Sequence, residues 1–336
     1  MAYNNPFFYN RDSSVDPKYK YVDVSTYKPI YGSSVSFRSR INSIDTVDNT
    51  IKIMPASANN LKIKYSLKFL LTDTEAGNLL KSIEVAGGYR HLKFKDPSNL
   101  YIDFLGLVES YSINKTSNSL NEVSLDVNVY FKSPLLKWRT SCLLSGITNA
   151  SSNFVSGRTY QLYDIVYNNI FNNGSQFGTD TNLIDNFFIK KTSDASPMSD
   201  SNFFSHWSKN FIFDCKLPFS IENEFDVYKT EFKNSFNQNI KYKNNSNSLK
   251  KFNLRFENIT TQQCRAMLFF LEKRCGYRRF IYDFPIFLKK NKVFICSEWD
   301  HTFKYDNCHD LNVLFMEDPQ PNVKFFEYQN QTIYYI

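Results

Sequence analysis

The chain has 336 residues, a formal net charge of +7 and an aromatic content of 17%, with 32 Phe and 22 Tyr. This length exceeds one typical domain, and such aromatic density is typical of half-buried strands. The sequence contains neither an apolar run of about 18 residues nor a basic-then-apolar leader, so we do not expect membrane insertion. The positive charge is not accompanied by a phosphate loop, a dinucleotide fingerprint or a nucleic-acid motif.

Residues 1–33 form the first predicted segment and carry many aromatic side chains on a polar background. No helical or strand periodicity is sustained there. One interpretation is a disordered leader. Because exposed rings are unfavourable in water, we expect instead an extended N-terminal arm whose aromatic residues lie on a neighbouring subunit.

Residues 34–141 are predicted to form a first domain of strands around one helix. Apolar residues alternate with polar ones along a strand, at Leu61, Ile63, Tyr65, Leu67 and Phe69. A helix is predicted from Asp73 onward, because apolar residues then follow at spacings of three and four, at Ala76, Leu79, Leu80, Ile83 and Ala86. Gly87 and Gly88 are predicted to end this helix in a left-handed conformation.

Residues 142–217 form a predicted insertion, a small β module with Ser-rich linkers. Its order of Tyr-x-x-x-Asp-Ile-Val-Tyr, Phe-Phe-Ile-Lys-Lys and Trp resembles the small three-stranded carbohydrate-binding modules of chitinases and many phage proteins. The resemblance implies that Tyr160, Tyr167 and Trp207 are candidates for stacking on a glycan. The alternative is a small aromatic core in an outward decoration. Tyr163 stands where those modules usually have Gly.

Residues 218–320 repeat the pattern of the first domain, and residues 321–336 are predicted as a C-terminal strand or tail. Tyr65–Pro97 and Phe252–Pro285 each run from an alternating strand through a helix-length stretch to a Gly-Tyr-Arg turn and a short aromatic strand. The turns lie 188 positions apart (276 minus 88), and we place the one extra residue of the second copy in its helix. So long a period excludes a solenoid of roughly 20–50-residue units and indicates two domains of common ancestry.

An ordered series of segments follows between Tyr228 and Glu317: YKTEFKNSFNQNIKY, LKKFNLRFENIT, AMLFFLEKRCGYRRFIYDFP, KVFICSEWDHTF and LNVLFME. This series resembles the minor tail protein M family of lambda-like phages. The family's Lys-Val-x-Cys-x-x-Trp strand is matched, with a displacement of one residue, by Lys292, Val293, Cys296 and Trp299.

The resemblance implies a mainly β (α+β) fold with two tandem tail-tube-like domains, each of two packed antiparallel sheets flanked by one helix. Such domains join side by side into a ring, which pairs edges that would otherwise aggregate. Two domains per chain imply a homotrimer that forms a pseudo-hexameric ring around a DNA channel.

The implied function is structural and not enzymatic: a distal tail, hub, baseplate or tube ring component that bridges the tail tube to the tail tip. The implied partners are other copies of the chain, the tail tube, the tape measure and tip or fibre proteins, with DNA only transiently in the lumen. The implied location is the virion, after assembly in the host cytoplasm. The alternative is a receptor- or glycan-binding adhesin component that uses the central module on a cell-surface glycan.

The two Gly-Tyr-Arg turns have two interpretations. They comprise Gly88, Tyr89 and Arg90 in the first copy and Gly276, Tyr277 and Arg278 in the second. Their arginines could line a lumen and contact phosphate. We favour the structural interpretation, in which the glycine caps the helix and the Tyr-Arg pair packs over the sheet edge.

The cysteines and histidines complete the candidates for chemistry. The six cysteines lack the spacing of a disulfide framework, so we expect reduced core residues. Cys296, His301, Cys308 and His309 have a metal-like spacing, but adjacent strand residues point to opposite faces, which prevents Cys308 and His309 from binding one ion. We therefore predict no metal site, no cofactor and no catalytic residues.

Overall fold

The computed structural model describes residues 21–45, 51–55, 61–98, 100, 103–129, 154–167, 187–194, 203–208, 210–213, 222–226, 229–233, 239–243, 249–284, 289–317, 324–328 and 331–335. Within these ranges the protein is mainly β, as predicted, with one long helix in each copy. Across the same ranges, no helix combines the length and apolar character needed to cross a membrane.

The elements fall into three groups along the chain. Up to residue 129 they are β1 (Val22–Asp23), β2 (Ser34–Ser39), β3 (Ile41–Asp45), β4 (Ile51–Pro55), β5 (Leu61–Thr72), α1 (Asp73–Ala86), β6 (Leu92–Phe94), β7 (Phe104–Lys115) and β8 (Leu120–Val129). Then follow β9 (Ile165–Tyr167), β10 (Phe187–Lys190), α2 (Phe203–His206) and β11 (Trp207–Ser208). The rest are β12 (Glu222–Asp226), β13 (Lys229–Lys233), β14 (Asn239–Lys243), β15 (Leu249–Ile259), α3 (Thr261–Arg274), β16 (Phe280–Phe284), β17 (Lys289–Tyr305), β18 (Cys308–Glu317), β19 (Lys324–Tyr328) and β20 (Gln331–Tyr335).

The internal repetition extends well beyond the segments that revealed it. Residues 34–129 and 222–317, here called the first repeat and the second repeat, contain the same elements in the same order. The hairpins β3–β4 and β13–β14 also correspond at the offset of 188 positions, since Ile41–Asp45 matches Lys229–Lys233. The strand order is β6-β7-β8-β5-β2 in the first repeat and β16-β17-β18-β15-β12 in the second.

The two repeats share one eleven-stranded sheet, because β2 of the first repeat pairs antiparallel with β17 of the second. β1 extends the far edge by pairing parallel with β6, and Tyr27 packs against the core of the same chain. This part of the predicted N-terminal arm therefore lies on its own chain and not on a neighbouring subunit; residues 1–20 lie outside the described residues. A second packed sheet in each repeat and the exact domain boundaries stay predictions. The predicted C-terminal strand is a hairpin, β19–β20.

Both long helices begin with the same local signal. Thr72 and Thr260 each accept a hydrogen bond from the backbone N–H three residues on, while Glu75 and Gln263 accept from the backbone N–H of the threonines. This reciprocal arrangement is a capping box. It fixes the helix start. Of the predicted stripe, Ala76, Leu79, Ile83 and Ala86 are buried, whereas Leu80 is only partly buried.

The extra residue of the second repeat lies in a strand, and its predicted place in the helix is wrong. Both helices have 14 residues, whereas the pairing of β15 with β18 shifts between Phe256 and Ile259. Asn258 sits in this bulge at φ 54, a left-handed conformation that asparagine tolerates better than most residues. The bulge inserts one residue without shifting the apolar register of the strand.

Removing a capping hydroxyl should destabilise the protein measurably. Thr72→Ala is expected to lower the free energy of unfolding by about 1 kcal/mol, because the side chain no longer accepts from the N–H of Glu75 at 3.3 Å. Thr260→Ala should behave alike, since the same bond to Gln263 is 3.3 Å long. Urea denaturation measures both. Thr72→Ser keeps the hydroxyl and is the control; an equal loss in this variant would contradict the capping role.

Candidate functional site: the seam between the repeats

The seam is the pairing of β2 with residues 298–302 of β17. Its register joins Arg38 to Glu298 and Phe37 to Trp299. Backbone hydrogen bonds also extend the pairing to the two residues before β2. Gly32 N–H donates to the Phe303 carbonyl at 2.7 Å, and Phe303 N–H donates to the Ser33 carbonyl at 3.0 Å. The seam therefore combines strand pairing with side-chain contacts on both faces of the sheet.

One face of the seam is aromatic and buried. The rings of Phe37 and Trp299 stack with centroids 5.2 Å apart and an interplanar angle of 14°. Both side chains are almost inaccessible to solvent. Aromatic pairs at this distance contribute beyond their buried area, so this stack adds to the stability of the seam.

The opposite face is charged. Arg38 makes a bidentate contact with Asp300, from Nη1 to Oδ1 at 2.9 Å and from Nη2 to Oδ2 at 3.0 Å, and its Nε lies 3.1 Å from Oε2 of Glu298. These side chains are partly exposed, so solvent screens the attraction. The pairs nevertheless fix the register, because a shift of one residue would turn Arg38 to the other face.

The second Gly-Tyr-Arg turn lies against the seam. Gly276 has φ 78, and a Cβ added there would lie 2.1 Å from Cβ of Ser39 in β2. Ser39 Oγ also donates to the Cys275 carbonyl at 3.1 Å. In the first repeat, Gly88 has φ 72 with nothing within 4 Å of the corresponding position among the described residues. Gly276 is therefore required by a close contact between the repeats, and the space at Gly88 is open.

The turns themselves act as helix ends. Gly87 is the left-handed cap of α1, as predicted. The left-handed cap of α3 is Cys275, one residue before the predicted Gly276. The N–H groups of Arg90 and Arg278 donate to the last helical carbonyls at 3.0 and 2.9 Å. Each arginine also lies over the ring of its neighbouring tyrosine, Tyr89 or Tyr277. These contacts favour the structural interpretation; contact with a lumen stays a prediction.

Two strand edges have no partner strand among the described residues. The first is the outer part of β7, residues 109–115, whose side chains are all exposed. The second is β12, which pairs only with β15 at the end of the sheet. Unpaired edges are templates for pairing with another chain.

These two edges are the counterparts of the two strands that meet at the seam. Subtracting 188 from Trp299 gives Tyr111, and adding 188 to Phe37 gives Phe225. The pairings agree with this assignment, because Val35 opposite Tyr65 corresponds to Asn223 opposite Phe252. Tyr111 is 50% exposed, whereas Trp299 is 1% exposed. The difference arises because β2 covers β17 and nothing described covers the same part of β7.

The central module forms the predicted three-stranded sheet, with β10 between β9 and β11. Tyr163, which stands in place of the usual Gly, adopts φ 66, the left-handed conformation that glycine favours. Tyr160 and Trp207, the predicted glycan-stacking residues, are 2% and 1% exposed and contact each other edge to face at 5.2 Å. Their burial argues against sugar stacking and favours the aromatic-core interpretation. The side chain of Tyr167 lies outside the described residues.

This module packs on α3, the helix of the second repeat. Gln262 Nε2 donates to the Leu162 carbonyl at 2.5 Å, and the guanidinium of Arg265 lies 3.6 Å from a carboxylate oxygen of Asp164, both side chains being buried. Phe187 of β10 contacts Phe269 and Phe270 edge to face. Sequence reasoning missed this docking surface. The sequence signal for it is a difference between the two helices: Phe269 and Phe270 of α3 stand where α1 has the polar residues Lys81 and Ser82.

A buried cluster of possible metal ligands lies beneath the seam. One donor atom each from Cys264, His301 and His309 lies within 4.8 Å of the others. Burial lowers the pKa of His301 well below its ordinary value and that of His309 to about 4, so both rings are neutral at physiological pH. Cys308 instead contacts Asn258 at 3.5 Å, which agrees with the expectation that Cys308 and His309 point apart.

No protein-family model and no curated protein matches the chain. Among solved structures, the chain is similar to one in the "Tail of empty GTA particle computed with helical refinement, C6 symmetry". The sequences are 12% identical, the TM-score is 0.25, and the alignment covers 33% of this chain and 84% of the other. A likeness this small does not establish a shared fold.

Proposed function

We propose that the protein is a structural ring component of a bacteriophage tail, in which three chains place six repeats around a central channel. The observation that carries the proposal is the seam. It joins an edge of the first repeat to a different edge of the second, so the contact is head-to-tail. A head-to-tail contact leaves both complementary edges open at the two ends of the chain, and repetition closes a ring when the rotation permits.

In the proposed ring, β12 of one chain pairs with residues 110–114 of β7 in the next. The register of the seam, shifted by 188 positions, places Phe225 opposite Tyr111 and Asp226 opposite Ser110. The half-exposed Tyr111 and Ile113 would then be covered as Trp299 and His301 are covered within one chain. Pairing would remove two open edges and an exposed apolar strip together.

The charges along the edges support this partner choice. Glu222, Glu224 and Asp226 alternate along β12, so they share one face of the strand. The corresponding face of β7 carries uncharged Ser110 and Ser112, whereas β17 carries Glu298 and Asp300 at those positions. An acidic strand is therefore tolerated by β7 and repelled by β17. Arg38 makes β2 the better partner of β17, which favours the correct order of repeats.

The assignment to a phage tail rests on the resemblance of residues 228–317 to the minor tail protein M family. It implies a distal tail, hub or tube position, contacts with tail tube, tape measure and tip proteins, and passage of DNA through the lumen. The adhesin alternative loses two of its three candidate residues, since Tyr160 and Trp207 are buried in the aromatic core of the central module. We therefore propose the structural function alone.

A charge introduced at Ser112 tests the ring contact. Ser112 is exposed, and in the proposed pairing it faces Glu224. Ser112→Asp should prevent trimer formation through like-charge repulsion across the strands, whereas the matched Ser112→Lys should preserve or strengthen it. Sedimentation velocity and electron microscopy of the purified chain, alone and with a tail-tube partner, give the readout.

Both Ser112 variants should retain the melting temperature of the isolated chain, because exposed substitutions have small effects on stability. Trimers that persist in Ser112→Asp, or a wild-type chain that stays monomeric with its tail partner and in intact particles, would contradict the ring.

A further inference from the structure

We propose that Cys264, His301 and His309 bind one Zn²⁺ ion in the core of the second repeat. Nε2 of His301 and Nδ1 of His309 lie 2.9 Å apart, and a donor atom of Cys264 lies within 4.8 Å of the histidine donors. Zinc binds thiolate sulfur at about 2.3 Å and imidazole nitrogen at about 2.0–2.1 Å. Small side-chain movements would therefore place all three donors around one ion, with water in the fourth position.

The surroundings orient one of the two imidazoles for binding. Nε2 of His309 lies 2.9 Å from Oγ1 of Thr261. When Nε2–H donates to this hydroxyl, Nδ1 keeps a lone pair directed at His301. Metal-bound histidines almost always donate their other ring N–H to an oxygen acceptor, usually a carboxylate, a backbone carbonyl or water, which fixes the tautomer; here the hydroxyl of Thr261 takes that place.

The first repeat provides an internal comparison. The equivalent positions, 188 residues earlier, are Ala76, Ile113 and Asn121, so all three donors are present in one repeat and absent from the other. Asn121 Nδ2 donates to Asp73 Oδ1 at 2.6 Å, a bond that joins the same strand and helix start as His309 and Thr261 do. The fold therefore does not need a histidine at the position of His309 for this connection, and a shared ligand would account for the three differences together.

The proposed ion would connect three elements that carry the seam. Cys264 lies in the first turn of α3, His301 in β17 and His309 in β18. His301 pairs directly with Val35 of β2. Zinc bound on the core side of the sheet would hold β17 in position for pairing with β2. All three ligands are buried, and the water leaves one coordination position of the ion open. This site is independent of the proposed ring and goes beyond it.

Metal content and spectroscopy test the site on the full-length chain. Protein produced in zinc-supplemented medium should retain about one zinc ion per chain after dialysis, measured by inductively coupled plasma mass spectrometry. A strong chelator should lower the melting temperature by several degrees, because binding to the native state stabilises it. Cobalt substitution should give the d–d bands of a tetrahedral site and a thiolate-to-cobalt charge-transfer band.

The control variant carries the residues of the first repeat: Cys264→Ala, His301→Ile and His309→Asn together. It should bind no zinc, and its melting temperature should not respond to the chelator. If this variant fails to fold, Cys264→Ala alone should still abolish the charge-transfer band. Zinc-free wild-type protein with no response to chelator or cobalt would overturn the proposal, as would copper at full occupancy in its place. Each outcome is distinguishable from failure of the ring, because none requires assembly.

Discussion

Replacing Trp299 with alanine is expected to lower the free energy of unfolding by about 3–5 kcal/mol, whereas Tyr111→Ala should leave it within about 0.5 kcal/mol. The two aromatic residues occupy equivalent positions in the repeats. Trp299 is buried against Phe37, so its removal leaves a cavity within the seam. Tyr111 is half exposed, and its removal leaves none. Guanidinium denaturation of the isolated chains measures the difference.

The same pair should behave in the opposite way in assembly. In the proposed ring Tyr111 faces Phe225 of the next chain, and tyrosines at the centre of an interface often contribute more than about 1 kcal/mol. Tyr111→Ala should therefore weaken association by about fivefold or more, measured by sedimentation equilibrium. A Tyr111→Ala chain that unfolds as easily as Trp299→Ala, or that associates like the wild type, would contradict the pseudo-equivalence of the two edges.

The elements within each repeat could be predicted because their signals are local. The capping boxes of Thr72 and Thr260 indicate where the helices start, and the alternation of apolar and polar residues in β5 indicates a sheet with one buried face. The duplication was visible for the same reason. The error about the extra residue arose because helix length is hard to read from periodicity, whereas the bulge at Asn258 is visible only in the pairing of β15 with β18.

The seam could not be predicted from either repeat alone. Arg38 and Asp300 lie 262 positions apart in sequence, and neither strand shows which of its edges will be covered. The sequence did contain a partial signal. Phe37 and Phe225 place an aromatic residue at the same position in both repeats, whereas Glu298 and Asp300 of β17 are replaced by Ser110 and Ser112 in β7. Strand pairing between repeats is set by which edges remain open after each repeat has folded.

The cluster around His301 was missed for a related reason. Sequence spacing drew attention to Cys308 and Cys296, which lie close to the histidines along the chain. The third donor, Cys264, comes from the helix that packs on the same sheet and is 37 positions before His301. Comparison of the two repeats would have found it, because the residues at 76, 113 and 121 all lack metal-binding side chains.

The docking of the central module on α3 changes how the role of that module can be tested. Deletion of residues 145–210 would uncover Phe269 and Phe270, whose counterparts Lys81 and Ser82 suit a helix face in solvent. Such a chain would expose an apolar surface and aggregate, so its failure to assemble would say little about glycans. Point substitutions at the docking contact leave the covered surface intact.

Breaking the buried ion pair between Arg265 and Asp164 is the sharpest of these substitutions. Arg265→Leu removes the guanidinium from beside the buried Asp164 carboxylate, which keeps its electrostatic interaction with Lys190, and is expected to lower the free energy of unfolding by about 3 kcal/mol. Asp164→Leu should cost a similar amount. The double variant should lose clearly less than the sum, because two apolar side chains can replace a buried pair.

Denaturation of the wild type, the two single variants and the double variant completes this double-mutant cycle. Limited proteolysis reports whether the central module detaches from α3. Gly77 stands at the position of Arg265 in the uncovered helix α1, with nothing within 4 Å of an added Cβ among the described residues. Gly77→Ala is therefore a matched control and should raise stability by about 0.5–1 kcal/mol. Additive losses in the double variant would show that the charges do not act across the docking surface. The aromatic contacts of Phe187 with Phe269 and Phe270 would then hold the module on the helix without them.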